Sequence, residues 1–193
     1  LDSGTLVQVL RAAVDDHGVV VAWDELCRPV FTALDRLVVR TGECVDAELV
    51  AAWAITSVLR AGVASGGRRA PAPRRGRPVL LAGADGEAHS LPLEALHAAL
   101  DEAGRAVRML GVSVPEPALV DACTRLRPRV VVLWAQAGTL ARTGVLDAAC
   151  RAGASAAVAA GPGWAGRELP AGVVHVDDLG TAITAVEHAL TRS

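Results

Sequence analysis

The chain has 193 residues, is 52% hydrophobic and 21% charged, and carries a formal net charge of −2. That composition excludes global disorder and supplies an ample core. The near-neutral charge gives the chain no electrostatic footprint for nucleic acid.

No apolar run reaches the roughly 18 residues of a membrane span, and no basic-then-apolar opening reads as a signal peptide. A cytoplasmic protein with no membrane contact is expected. Lys, Tyr and Asn are absent, and all 19 basic residues are Arg. Schiff-base lysine chemistry and a phosphate-loop lysine are therefore excluded. Cys27, Cys44, Cys123 and Cys150 form no C-x-x-C pair. They read as small apolar side chains in a reducing compartment.

Residues 1–63 carry helical periodicity. Leu6, Leu10 and Ala13 mark a first helix that ends near His17-Gly18. Trp23, Leu26, Val30, Leu34 and Leu37 mark one face of a second, broken at Thr41-Gly42. A third runs from about Asp46 to Arg60. Val50, Ala54 and Val58 lie on one side of it, and Leu49, Ala52 and Trp53 on another. A helix apolar on two sides needs a second partner besides its own bundle.

Residues 64–77 read ASGGRRAPAPRRGR, a Gly-, Pro- and Arg-rich linker. Residues 78–193 alternate strand and helix. Candidate strands are 78–84, 106–110, 129–134, 156–160 and 173–176. Helical stretches cover 92–103, 115–126, 139–152 and 178–190. This order predicts a helical bundle followed by a five-stranded parallel sheet covered on both faces, of flavodoxin-like type. Ligands of such sheets bind beyond the carboxyl ends of the strands.

The first strand is followed by Gly83-Ala84-Asp85-Gly86-Glu87-Ala88-His89-Ser90-Leu91-Pro92. It is neither a dinucleotide fingerprint nor a phosphate loop. A receiver domain is excluded too, because the third strand ends Leu133-Trp134-Ala135-Gln136 without an Asp. The feature with chemistry is Glu87-x-His89. A carboxylate two residues from a loop His can hold one ring nitrogen and raise the other's basicity toward a metal.

This loop resembles the E-x-H-x-x-G loop of the cobalamin-binding domain found in MerR-type light- and cobalamin-dependent transcriptional regulators. The succession from Ser90-Leu91-Pro92 through Val107–Gly111 to Val130–Leu133 is similar to that domain. Upstream, His17–Val20, Trp23–Val30 and Gly42–Glu48 resemble the helical bundle that caps the cofactor. The resemblance implies cobalamin bound between cap and α/β domain, with His89 as lower axial ligand of cobalt. It implies a ligand-sensing role through a homo-oligomer, dimer or tetramer. DNA contact would come from an N-terminal winged helix that this chain lacks, and the chain itself would not be an enzyme.

The chain departs from the pattern where cofactor would touch. Pro92 stands at the closing Gly. Trp134-Ala135 replaces a tail-pocket Ser, and the Gly pair after the fourth strand becomes Gly161-Pro162-Gly163. The cap motif W-x9-E-H keeps Glu48 but has Val38 and Leu49 at its Trp and His positions. The resemblance thus makes Glu87, His89, Ser90, Val38, Glu48, Leu49, Trp53, Trp134, Ala135, Gly161 and Gly163 the candidate cofactor contacts. Trp53, one turn beyond Leu49, is expected either over the corrin or in the bundle core. The alternative is a cobalamin-independent descendant that binds another ligand or serves only in dimerisation, its cleft filled by Trp53, Trp134 and Trp164.

Overall fold

The computed structural model describes residues 2–65 and 76–192. Most of the predicted linker, residues 66–75, lies outside the described residues.

Helix α1 (Ser3–His17) is capped by Asp2, whose carboxylate accepts the Thr5 N–H, and stops at Gly18 with φ 83°. A short helix α2 (Val19–Ala22) leads into a π turn (Trp23–Cys27) and then α3 (Arg28–Thr41). Pro29 explains the π turn. A proline inside a helix lacks an N–H and clashes with the carbonyl four residues back. The wide turn accommodates it, with the Arg28 N–H reaching back to the Trp23 carbonyl. One inserted residue rotates the following face by about 100°. Val30, predicted on the inner face, is therefore exposed, while Cys27 and Phe31 pack inward.

Helix α4 (Val45–Ala64) is longer than the sequence predicts. By length and composition alone it could cross a membrane. Here it joins the two halves, burying Ala51, Ala54, Ile55, Val58 and Leu59. Each fully buried aliphatic side chain of Val or Leu size contributes about 1.5–3 kcal/mol.

The second half contains β1 (Val79–Gly83), α5 (Leu91–Glu102), β2 (Val107–Gly111), α6 (Glu116–Leu126), β3 (Val130–Trp134), α7 (Thr143–Arg151), β4 (Ala156–Ala160), β5 (Val174–Val176) and α8 (Leu179–Thr191). The sheet has the order β2-β1-β3-β4-β5 and every pairing is parallel. The predicted strands fall within a residue of these bounds. The helix predicted over 139–152 begins only at Thr143, because Gly138–Arg142 folds as turns.

Both sheet faces are covered. α6 and α7 close one face over Leu80, Val131 and Leu133. α5 and α8 close the other over Leu81, Val132 and Val158, in a cluster that continues into the helical half through Ile55 and Leu59. Two polar links reinforce that joint. Arg60 of α4 pairs with the buried Glu94 of α5, its Nε 3.0 Å from Oε1. Glu102 at the far end of α5 accepts the Val19 N–H at 3.1 Å, capping α2.

Candidate cofactor site

In this strand order the chain changes direction of growth between β1 and β3, which opens a crevice at the carboxyl ends. A cavity of about 560 Å³ lies there. Trp134, Ala160 and Val176 form its sheet side. The first two turns of α5 and the first turn of α8 form a second side through Leu93, Leu96, Leu179 and Ala182. The helical half faces them with Trp23, Phe31, Glu48, Leu49 and Ala52. The size and the largely apolar walls are those of a small-molecule or cofactor site.

The β1–α5 loop carries the chemistry. Ala84 to Glu87 forms a tight turn, with the Glu87 N–H donating to the Ala84 carbonyl at 2.9 Å. Gly86 sits at its third position with φ 82°, a conformation that favours glycine. The turn drives the Glu87 carboxylate down into the protein, where its side chain is 0% exposed. Oε2 accepts the Gln136 N–H at 2.6 Å, and Oε1 accepts the His89 N–H at 2.8 Å. Burial alone would raise the Glu87 pKa. The two backbone N–H donors and the His89 ring outweigh it and hold the carboxyl below its ordinary value.

His89 Nδ1 lies 2.6 Å from Glu87 Oε1. With Glu87 ionised, Nδ1 carries the proton and donates it. Nε2 then keeps its lone pair and has no hydrogen-bond partner among the described residues. The His89 side chain is 63% exposed and forms part of the cavity wall. This is the arrangement that orients a metal-ligating imidazole. Among the described residues no group of three or more His, Cys, Asp or Glu side chains could hold a metal ion. One oriented Nε2 suits a metal whose other positions are filled by its own macrocycle.

No protein-family model and no curated protein matches this sequence. Solved structures do match. The methanol:cobalamin methyltransferase complex MtaBC from Methanosarcina barkeri aligns over 100% of this chain and 76% of its own, at 16% identity and a TM-score of 0.50. The monomethylamine corrinoid protein of Methanosarcina barkeri aligns over 95% of this chain and 98% of its own, at 13% identity and a TM-score of 0.56. A cobalamin-binding protein from Desulfitobacterium hafniense DCB-2 aligns over 98% of both chains at 16% identity, with a TM-score of 0.48. This is the fold of cobalamin-binding domains.

Within it, the structure sorts the residues singled out by sequence. Glu48, Leu49, His89, Ser90 and Trp134 share the cavity wall. Glu87 lies beneath His89 as its support. Val38 is not on the wall. It sits in the last turn of α3, where its carbonyl accepts the Gly42 N–H at 2.7 Å. Trp53 is neither over the cavity nor in the bundle core but 60% exposed, since the buried residues Ala51, Ala54, Ile55, Val58 and Leu59 form one stripe on the opposite side of α4.

Ala135 is fully buried in the cluster under α6 and α7, the opposite face from the cavity. Gly161 and Gly163 are buried behind Pro162, which alone of the three reaches the wall. Their backbone is instead tied to neighbouring strand ends, with the Gly161 N–H donating to the Val176 carbonyl at 2.8 Å and the Gly163 N–H to the Ala135 carbonyl at 2.9 Å. Trp164 does not fill the cleft either. It packs in that same opposite cluster and donates its Nε1–H to the Leu133 carbonyl at 3.1 Å. The sequence reading missed Phe31 and Arg28 as wall residues. The proline at position 29 was the available signal for the π turn that presents them.

Proposed function

We propose that this chain is a corrinoid-binding module, with the corrin ring held between the carboxyl end of the sheet and the wall formed by the π turn, α3 and α4, and His89 Nε2 as the axial ligand on the sheet side. The observation that carries this reading is the Glu87–His89 pair on the cavity wall, in which a fully buried, ionised carboxylate fixes Nδ1–H and leaves Nε2 without a hydrogen-bond partner among the described residues. When bound, a corrinoid supplies a cobalt centre whose remaining axial position exchanges ligands.

The chain's own residues hold the ring and set that position's surroundings. Glu87 keeps the imidazole in one tautomer and one orientation. Trp23, Phe31, Leu49 and Ala52 give the far side an apolar lining. Among the described wall residues no imidazole or thiol faces His89 from that side, and Glu48 brings the carboxylate there.

The role we assign is a ligand-sensing, oligomerising effector domain of a bacterial transcriptional regulator, in which occupancy changes how subunits pack. The exposed Leu49 and Trp53, 66% and 60% accessible, border the same helical wall and form the surface such packing would use. A second reading is a corrinoid carrier serving a separate methyltransferase. Its support is that the similar solved structures include a cobalamin methyltransferase complex and a monomethylamine corrinoid protein. The same rim would then dock the enzyme.

The test is an ultraviolet–visible spectrum after incubation with hydroxo-, methyl- and adenosylcobalamin in the dark, followed by desalting. Co-eluting corrin bands that shift in His89→Ala are expected. A protein peak that stays colourless with all three overturns the corrinoid reading. Size-exclusion chromatography of the loaded protein separates the two roles. A change in self-association supports the sensor, and an unchanged monomer supports the carrier.

A further inference from the structure

The sheet ends in a strand too short to cover its neighbour. β5 pairs with β4 only from Val158 to Ala160, so among the described residues no strand stands beside Ala156 and Ala157 on that edge. The Ala156 N–H donates to the Arg129 carbonyl on the β3 side. Successive residues of a parallel ladder bond to opposite neighbours, so the Ala157 N–H turns to the open edge. Ala157 is nonetheless only 3% exposed. A buried backbone donor in this position calls for an acceptor.

A second cavity, of about 540 Å³, lies along this edge and includes Ala157 in its wall. That volume is within the range of small-molecule sites. Helix α8 separates it from the first cavity. Leu179 and Ala182 line the first, whereas Ala185 and Ala189 line the second. On the strand side Val174 shares a face with Val158, its register partner, and with Val176. Val174 is 48% exposed and lines the cavity together with the small side chains of Ala185 and Ala189.

Charge gives this cavity a direction. Thr184, His188 and Arg192 follow one another four residues apart along α8 and form one rim. No acidic side chain lines the cavity among the described residues. Arg129 reaches the same end, its Nη2 3.5 Å from the Arg192 carbonyl. It thereby meets part of the negative end of α8. The Arg192 guanidinium itself has no acidic partner among the described residues.

We propose that this edge cavity is a second ligand site, which takes an amphipathic monocarboxylate. The carboxylate pairs with the Arg192 guanidinium and accepts the Ala157 N–H, and the alkyl chain lies against Val174, Val176, Ala185 and Ala189. A charged donor and one backbone donor match the two oxygens of a carboxylate. The site stands apart from the corrinoid reading, since of its described wall residues only Val176 also borders the first cavity.

The experiment is isothermal titration calorimetry of the full chain with octanoate, octanol and octylammonium. Octanoate is expected to bind saturably and at least about tenfold more tightly than either of the others. Arg192→Gln should weaken octanoate by about tenfold or more. Ala189→Trp, which fills the groove, should abolish its binding in a variant shown by circular dichroism to be folded. No saturable binding of octanoate, or equal binding of all three chains, overturns the proposal. Binding that survives Arg192→Gln unchanged places octanoate elsewhere and also overturns it. Should Ala189→Trp not fold, the substitution at the exposed Arg192 decides alone.

Discussion

At the scale of single residues, the Glu87–His89 pair sets the chemistry. Glu87→Gln keeps the shape and removes the charge, so His89 loses its tautomeric bias. Such supporting carboxylates are worth about 10–100-fold in metal affinity, and that loss in cobalamin affinity is expected on titration. The same carboxylate makes stability depend on pH. Its folded pKa is depressed below the ordinary 4.5. Its stabilisation is thus present above that value and is lost as pH falls through the lower folded value. Melting temperatures below pH 4.5 should therefore fall more steeply for wild type than for Glu87→Gln. Parallel curves would show that Glu87 is not held ionised.

Gly161 makes a second residue-scale case. With φ 101° and the Ala135 carbonyl oxygen 2.7 Å from where a Cβ would stand, it has no room for a side chain. Gly161→Ala should destabilise the fold by about 1–3 kcal/mol, read from denaturant unfolding.

At the scale of elements, α4 decides how the helical half meets the sheet. Ile55→Ala and Leu59→Ala each remove side chains at most 5% exposed and should cost about 2–5 kcal/mol. Trp53→Ser should change stability by no more than about 0.5 kcal/mol. Equal costs at positions 53 and 55 would mean that the helix is rotated from the orientation described.

Arg60 and Glu94 couple α4 to the helix that begins beside His89. Arg60→Ala leaves Glu94 buried without its cation. The expected cost is about 1–2 kcal/mol after allowing for the exposed arginine. Glu94→Gln in the same background should recover part of it, as a double-mutant cycle would show.

The elements also differ in how readable they were. The strands were legible because Val- and Leu-rich runs between turn residues have few alternatives. The helix around Pro29 was legible in extent but not in face. A straight 3.6-residue period put Val30 inside, whereas the π turn moved the inner face to Cys27 and Phe31. The two apolar sides of α4 announced a second partner. Periodicity could not say that Leu49 and Ala52 would reach it while Trp53 would not.

At the scale of the whole molecule, one apolar cluster runs from Leu10 of the helical half to Val186 of α8. The cavity bounded by both halves therefore lies against a core that the two halves share. If the sensor role holds, cobalamin should shift the elution volume of wild type on sizing, and Trp53→Asp, outside the cavity wall, should abolish the shift while retaining the corrin bands. Loss of colour together with the shift would place Trp53 in the binding site instead of an interface.

Local chemistry sufficed for much of this protein. Binary patterning specified helices then alternating strands, because each strand buried on both faces must be continuously apolar. The loop Gly86-Glu87-Ala88-His89 announced its own chemistry, since a carboxylate and an imidazole two residues apart are forced together by a single turn. Contacts between distant segments were decided by tertiary structure alone. Whether Trp134, Trp164 and Trp53 enter the cleft depended on strand alternation and on the rotation of α4. Sequence spacing carries neither, because the partners lie far apart along the chain and only packing brings them together.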